Sequence, residues 1–325
     1  MSTHDILLVG MSSIVRRRVL PALLTLDRVG KVHVASTHLS DLACVPAERR
    51  GVLWSGYSEA LAECEKPCIA YISLPNALHE VFAREALERG FHVIVDKPAV
   101  VGGGAVARGL TDCARSRDLV LAEATVWSWH PIAREAQRLA SAAGSGPLHV
   151  ALTFTSPPLE LDDFRYSRSL GGGALLDRGP YIASCGRLLF VSSPTRVECV
   201  TFFDPVRGDV DIAAAMTLTY PTGVLQGYVS LQAEYSNSLE VVGADLLFRV
   251  SRIFSPPSDF VGEVVVTEAN KTRHVQLPTG DCFAAFIDSV LDAVEHGDVV
   301  THSEMLCADA EVLERLGRAA GGNSS

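Results

Sequence analysis

Up to about residue 120 the chain alternates short, continuous apolar runs with stretches of helical periodicity, and no other feature limits its fold so strongly. DILLVG, KVHVAS, CIAYISLP, HVIVDKP and LVLAEAT read as strands. Between them SIVRRRVLPALLTL, YSEALAEC, NALHEVFAREALERG and GGAVARGLTDCARSRD read as helices. Strands that are apolar on both faces, each followed by a helix, predict a doubly wound α/β unit around a parallel sheet.

The pattern changes after WSWHPIAREAQRLASAAG, a helix closed by Gly144 and Pro147. Strands then dominate: LHVALTFT, TRVECVTFF, IAAAMTLTY, GVLQGYVSLQ, SLEVVG, DLLFRVS, EVVVTEA and TRHVQLP. Turns as short as Pro221-Thr222-Gly223 suit antiparallel hairpins. A last helix, CFAAFIDSVLDAVEHG, sets Phe283, Phe286, Ile287, Val290 and Val294 on one face. The terminal GGNSS reads as a frayed tail. The expectation is α/β followed by an α+β domain with a large, mainly antiparallel open sheet, divided as 1–123 and 124–325. The C-terminal helix can belong to the second domain or pack back on the first.

A formal net charge of −10 argues against a polyanion partner such as nucleic acid, and Arg16-Arg17-Arg18 is the densest basic cluster. No apolar run reaches membrane-spanning length, and the start lacks a signal-peptide pattern. Eight cysteines show no zinc spacing, so reduced thiols, no metal and a cytoplasmic location are expected.

In a doubly wound sheet the ligand lies beyond the carboxyl ends of the strands, where the strand order reverses. Gly10 ends the first strand and a helix follows at once, which directs the region of Ser12, Ser13 and Ile14 at a pyrophosphate. Of the glycines in a G-x-G-x-x-G fingerprint only Gly10 is kept, with Ser12 and Val15 at the other two positions. The Ser12 hydroxyl is expected to meet a phosphate. NAD-specific folds place an acid at the end of the second strand to accept from the ribose 2′-hydroxyl. Here Ser36, Thr37 and His38 stand there, so a 2′-phosphate would meet no repulsion. NADP(H) is therefore preferred and NAD(H) possible. Ser36 and Thr37 are expected to donate to that phosphate, with one of Arg16 to Arg18, Arg17 being the candidate, reaching it from the facing helix. Leu74, Pro75 and Asn76 should border the crevice, and Asp96 and Lys97 should stand at a strand end beside the nicotinamide.

The same segments carry a family resemblance. Leu74-Pro75-Asn76 with His79, Asp96-Lys97-Pro98, EATVWSWHP from Glu123 to Pro131, and LGGGALLDRGPYIASCGRLLF from Leu170 to Phe190 resemble four motifs of the Gfo/Idh/MocA family of NAD(P)-dependent oxidoreductases. Asp96 replaces the family's glutamate, and Tyr181 holds its usual histidine position, as in the subset that includes 3-ketosugar reductases of deoxysugar pathways. The resemblance spans nearly the whole chain. It implies a cofactor site that also takes in His79 and Trp127, and a substrate pocket with Asp177 and Tyr181. Trp129, Arg165 and Tyr166 are expected at the substrate, with Arg165 meeting a phosphate of a nucleotide-linked sugar. Hydride transfer to a ketone needs a proton donor, a role that falls to Tyr181. A neighbouring ammonium favours an ionised phenol, which is the part expected of Lys97. Asp177 would orient substrate or pair with Lys97. The function implied is NADPH-dependent reduction of a sugar ketone, within a homodimer or homotetramer built through the second sheet. Oxidation of a diol, inositol or free sugar, or a catalytically silent dinucleotide-binding sensor or scaffold, are the alternatives.

Overall fold

Six parallel strands organise the N-terminal part of the chain: β1 (His4–Val9), β2 (Val29–Ala35), β3 (Arg50–Trp54), β4 (Cys68–Ile72), β5 (His92–Val95) and β6 (Leu121–Glu123). The structure, a computed structural model, describes residues 3–322 apart from 67, 205–208 and 255. Sheet order is β3-β2-β1-β4-β5-β6, with every pair parallel. All five residues of β4 and the last four of β1 are buried, as a sheet covered on both faces requires. The order reverses between β1 and β4, so the ligand crevice belongs at their carboxyl ends. α1 (Leu20–Thr25), which continues a π-helical turn at Val15–Val19, α2 (Tyr57–Glu63), α3 (Asn76–Glu88) and α4 (Gly104–Arg115) supply the connections. The sequence reading passed over β3, a five-residue edge strand with exposed positions.

The chain divides into two compact units, Met1–Ala124 with Phe283–Cys307, and Thr125–Cys282 with Ala308–Ser325. Most of α7 (Cys282–His296) therefore belongs to the first unit. Its apolar face is buried, and Asp288, Asp292 and Glu295 all pair with Arg28. A further helix, α8 (Thr301–Gly322), was not foreseen. Gly321 and Gly322, expected in a frayed tail, lie within it, and residues 323–325 fall outside the described ones.

In the second unit α5 (Pro131–Ser141) and α6 (Ala174–Phe190) accompany an eight-stranded sheet. Its strands are β7 (Leu148–Thr155), β8 (Arg196–Phe203), β9 (Asp211–Tyr220), β10 (Gly223–Ser230), β11 (Ser236–Val242), β12 (Leu246–Ser251), β13 (Glu263–Glu268) and β14 (Lys271–Gln276). They run in the order β14-β13-β12-β11-β7-β10-β9-β8, antiparallel except for β7 beside β10. Alternate residues such as Leu152, Leu239 and Val250 enter one core with Ile182 of α6. On the opposite face the register aligns Val200, Ala215, Tyr228, Thr153 and Ser238 in one row.

Candidate active site

The crevice of the first unit is built by a turn that only glycine can make. Gly10 has φ +94°, and a Cβ there would stand 2.3 Å from the Ser73 carbonyl oxygen. The helix begins at Ser13, and its first N–H groups have no intrahelical acceptor. Ser12 caps that helix, its hydroxyl oxygen accepting from the Val15 N–H at 3.2 Å. The same hydroxyl is 2.7 Å from that of Ser73, which donates to Asp96, and Asp96 also accepts from Tyr71 at 2.9 Å. Where a glycine is usual, Ser12 thus ties the turn to the ends of β4 and β5. Ser13 and Ile14 open the helix, and Val15 is fully buried. A tight glycine turn running into a helix start with open N–H donors fits a pyrophosphate.

At the end of β2 the expected phosphate donors are arranged differently. Ser36 is buried, its hydroxyl donating to Asp41 and accepting from the His38 N–H at 3.1 Å. Asp41 is also buried, and its other oxygen is paired with Arg16. Burial works against the Asp41 charge, but the Ser36 hydroxyl and the Arg16 guanidinium outweigh it and hold the carboxyl below its ordinary pKa. Thr37 is exposed beside His38. Arg17 turns back onto the Ser13 carbonyl at 3.2 Å, and Arg18 lies 4.7 Å over the Phe283 ring. Of the three arginines, Arg16 is the one bonded into the β2 end. Asp41 escaped the sequence reading, although it stands only five residues beyond Ser36.

His79 explains the 74–79 motif. It is buried on α3, with Nε2 2.7 Å from the Leu74 carbonyl and Nδ1 2.8 Å from that of Pro98. Burial lowers its pKa, and each ring nitrogen faces a different carbonyl oxygen. His79, expected at the cofactor, joins two crevice loops. Leu74 and Pro75 are half-buried at the start of α3, and Asn76 is buried. Lys97 follows β5 through a cis peptide bond to Pro98. The next residue, Ala99, donates its N–H to buried Glu123 at 2.7 Å. Lys97 is half-buried on a loop pinned from both sides.

In the second unit the chemistry gathers at the start of α6. Gly173, with φ +114°, takes its place because a Cβ would stand 2.5 Å from Asp211. Asp211 then accepts from the Leu175 N–H at 2.7 Å and caps the helix. Asp177 and Tyr181 follow one turn apart. The Tyr181 ring packs among Phe154 and Phe254, with centroids 4.9 and 4.8 Å away. Asp177 pairs with Arg165 at 3.2 Å and faces Arg178 at 3.6 Å. Arg178 is buried, donating to the Phe154 and Ser230 carbonyls and to Ser156, and burial lowers its pKa. It is a charged group that the sequence reading missed.

Arg165 is held by Asp163 as well as Asp177, so two acids already match the charge expected to meet a phosphate. Tyr166 is buried with its hydroxyl accepting from the Leu159 N–H, and Trp129 is half-buried. Trp127, expected at the cofactor, is enclosed in the second core, donating to Ser184 at 3.0 Å and lying edge-on to Phe254. Among the described residues no cluster of metal-ligating side chains occurs, and no helix is long and apolar enough to cross a membrane.

A reversed parallel sheet with a glycine turn at its switch point, followed by an α+β unit, fits a two-domain dinucleotide-binding protein. The chain belongs to the Gfo/Idh/MocA family. Residues 4–125 match the model for an oxidoreductase family with an NAD-binding Rossmann fold, and residues 119–247 match the GFO/IDH/MocA C-terminal domain. The chain is 33% identical over 288 residues to a dTDP-3,4-didehydro-2,6-dideoxy-alpha-D-glucose 3-reductase of Streptomyces violaceoruber, covering 88% of this chain and 83% of that one. It superposes with a TM-score of 0.90 and 26% identity on KijD10, a 3-ketoreductase from Actinomadura kijaniata in complex with NADP and TDP-benzene, over 98% of each chain. A D-xylose 1-dehydrogenase (NADP(+)) of Haloferax volcanii is 32% identical over 169 residues, about half of either chain.

Proposed function

We propose that this protein reduces a ketone on a nucleotide-linked deoxysugar with hydride from NADPH. The likeness to a dTDP-sugar 3-reductase over 88% of the chain carries this reading. Likeness to a 3-ketoreductase seen with NADP and a TDP ligand supports it. Bound at the Gly10 turn, the nicotinamide cofactor supplies the hydride. The open N–H groups of the helix start would hold its pyrophosphate, and Leu74, Pro75 and Asn76 would border it. The chain's own residues handle charge and the proton. As hydride reaches the carbonyl carbon, the oxygen gains negative charge, and Tyr181 gives it the phenol proton. Lys97 is the second group we assign to acid–base assistance. Asp177, steadied by Arg165 and Arg178, orients the sugar, and Trp129 lines its pocket. The unit Met1–Ala124 with Phe283–Cys307 binds the dinucleotide, and the other unit binds substrate.

Loss of NADPH absorbance with a TDP-3-ketosugar tests the reaction. Tyr181→Phe is expected to lower turnover by about 10²- to 10⁴-fold, the usual worth of general acid catalysis, while calorimetry still shows NADPH binding. Turnover near wild type would remove Tyr181 from the mechanism. The xylose dehydrogenase relative favours a second reading, NADP⁺-dependent oxidation of a free sugar. Turnover of D-xylose with NADP⁺, and none of ketosugars with NADPH, would replace the first reading by that one.

A further inference from the structure

We propose that Arg16, held in place by the buried Asp41, is the residue that selects a 2′-phosphorylated dinucleotide, resting on the NADPH reading above. The end of β2 is where a 2′-phosphate would be met. No cation stands there: Ser36, Thr37 and His38 are followed by Leu39, Ser40 and Asp41. Ser36 turns its hydroxyl hydrogen inward to Asp41. A fixed positive charge must therefore come from elsewhere if a phosphate is to be recognised. The helix after Gly10 supplies three arginines, two of which are engaged away from the β2 end, Arg17 on its own helix and Arg18 on Phe283.

Arg16 is different. One end of its guanidinium is bonded to Asp41, and its side chain stays 38% exposed, while Asp41 is only 3% exposed. A guanidinium has five N–H donors in a fixed plane. Asp41 takes Nη2, and Nη1 faces Cys44 Sγ at a long 3.6 Å. The carboxylate is thus hidden behind the cation, with both oxygens engaged by Arg16 and Ser36. What the β2 end presents to solvent is the guanidinium and the exposed Thr37, not an acid. A buried carboxylate that would repel a phosphate if it were open serves here to fix the group that attracts one. This also accounts for Asp41 being buried at a ligand edge, which a plain NAD-type acid accepting from a ribose hydroxyl would not be.

Calorimetry of the full-length protein with 2′,5′-ADP, 5′-AMP, NADPH and NADH reads this selection without reference to turnover. Wild type should favour 2′,5′-ADP over 5′-AMP. Arg16→Gln should weaken 2′,5′-ADP and NADPH by about ten- to hundredfold, the scale of one charge-assisted hydrogen bond, and leave 5′-AMP and NADH unchanged. Arg17→Gln should leave all four unchanged. Asp41→Asn should lower the preference for 2′,5′-ADP over 5′-AMP severalfold, whereas a purely structural role would weaken both alike. Unchanged selectivity in Arg16→Gln, or an equal loss for both fragments, would overturn the proposal and leave the reductase reading standing. If wild type binds none of the four ligands, both fall together.

Discussion

Several side chains that the sequence marks as ligand contacts turn out to hold one another. Ser12, Ser73, Asp96 and Tyr71 form one hydrogen-bonded chain across the strand ends, and His79 links the Leu74 and Pro98 carbonyls. Position in the crevice was legible because strand ends are set by the apolar runs. Partnership was not, because an aspartate two sheet strands away leaves no trace beside a serine in sequence. Asp41, only five residues beyond Ser36, escaped because sequence alone does not tell an inward-turned acid from an outward one. The His79 arrangement has a pH consequence. Burial lowers the pKa of His79, and of His92 and His302 in the same unit, below the ordinary value near ~6.5. The unfolded chain then binds more protons, so the stability these neutral imidazoles allow is complete above that value and falls as pH drops toward the folded pKa. Urea unfolding at pH 7.5 and 5.5 should show that loss, and His79→Gln should reduce it. An equal loss in the variant would place its origin elsewhere.

Among whole elements, strong periodicity was legible and weak periodicity was not. Most strands of the second sheet stand in the sequence as runs of alternating or apolar residues, because one face meets a core and the other does not, whereas the edge strand β14 is almost wholly exposed. β3 escaped, being short, at a sheet edge and apolar only in part. α8 escaped because its stripe carries polar members, with His302, Ser303 and Asp309 buried beside Leu306, Leu313 and Leu316. Its start did carry a signal: Asp298 accepts from the Val300 and Thr301 N–H groups, both at 3.0 Å. Bonds from Thr301 and Val300 hold that carboxyl below its ordinary pKa. Asp298→Ala should therefore cost about 0.5–2 kcal/mol in thermal or urea unfolding at neutral pH. The difference from wild type should shrink as pH falls through the folded pKa, where the cap is protonated. A difference that persists at low pH would assign the loss to something other than the charged cap.

For the molecule as a whole, the open face of the second sheet is its least explained surface. Val200, Phe202 and Tyr228 are exposed there, beside small residues such as Ala215 and Thr153. Exposed apolar side chains on one sheet face are what the pairing of two copies would cover, and that pairing is the expectation to test here. Tyr228→Arg should shift the mass measured by light scattering toward one chain, with secondary structure intact. An unchanged mass would move the contact elsewhere or leave the protein a monomer.

The return of Phe283–Cys307 to the first unit sets a schedule for synthesis. Arg28 emerges early from the ribosome, but Asp288, Asp292 and Glu295, its partners, emerge near the end. At about 5–20 residues per second, the stretch 125–282 delays that last helix by on the order of ten to thirty seconds after the six strands are made. During that interval the six-stranded sheet stands without its last helix, leaving the surface that Phe286, Ile287 and Val290 later cover open to whatever guards nascent chains.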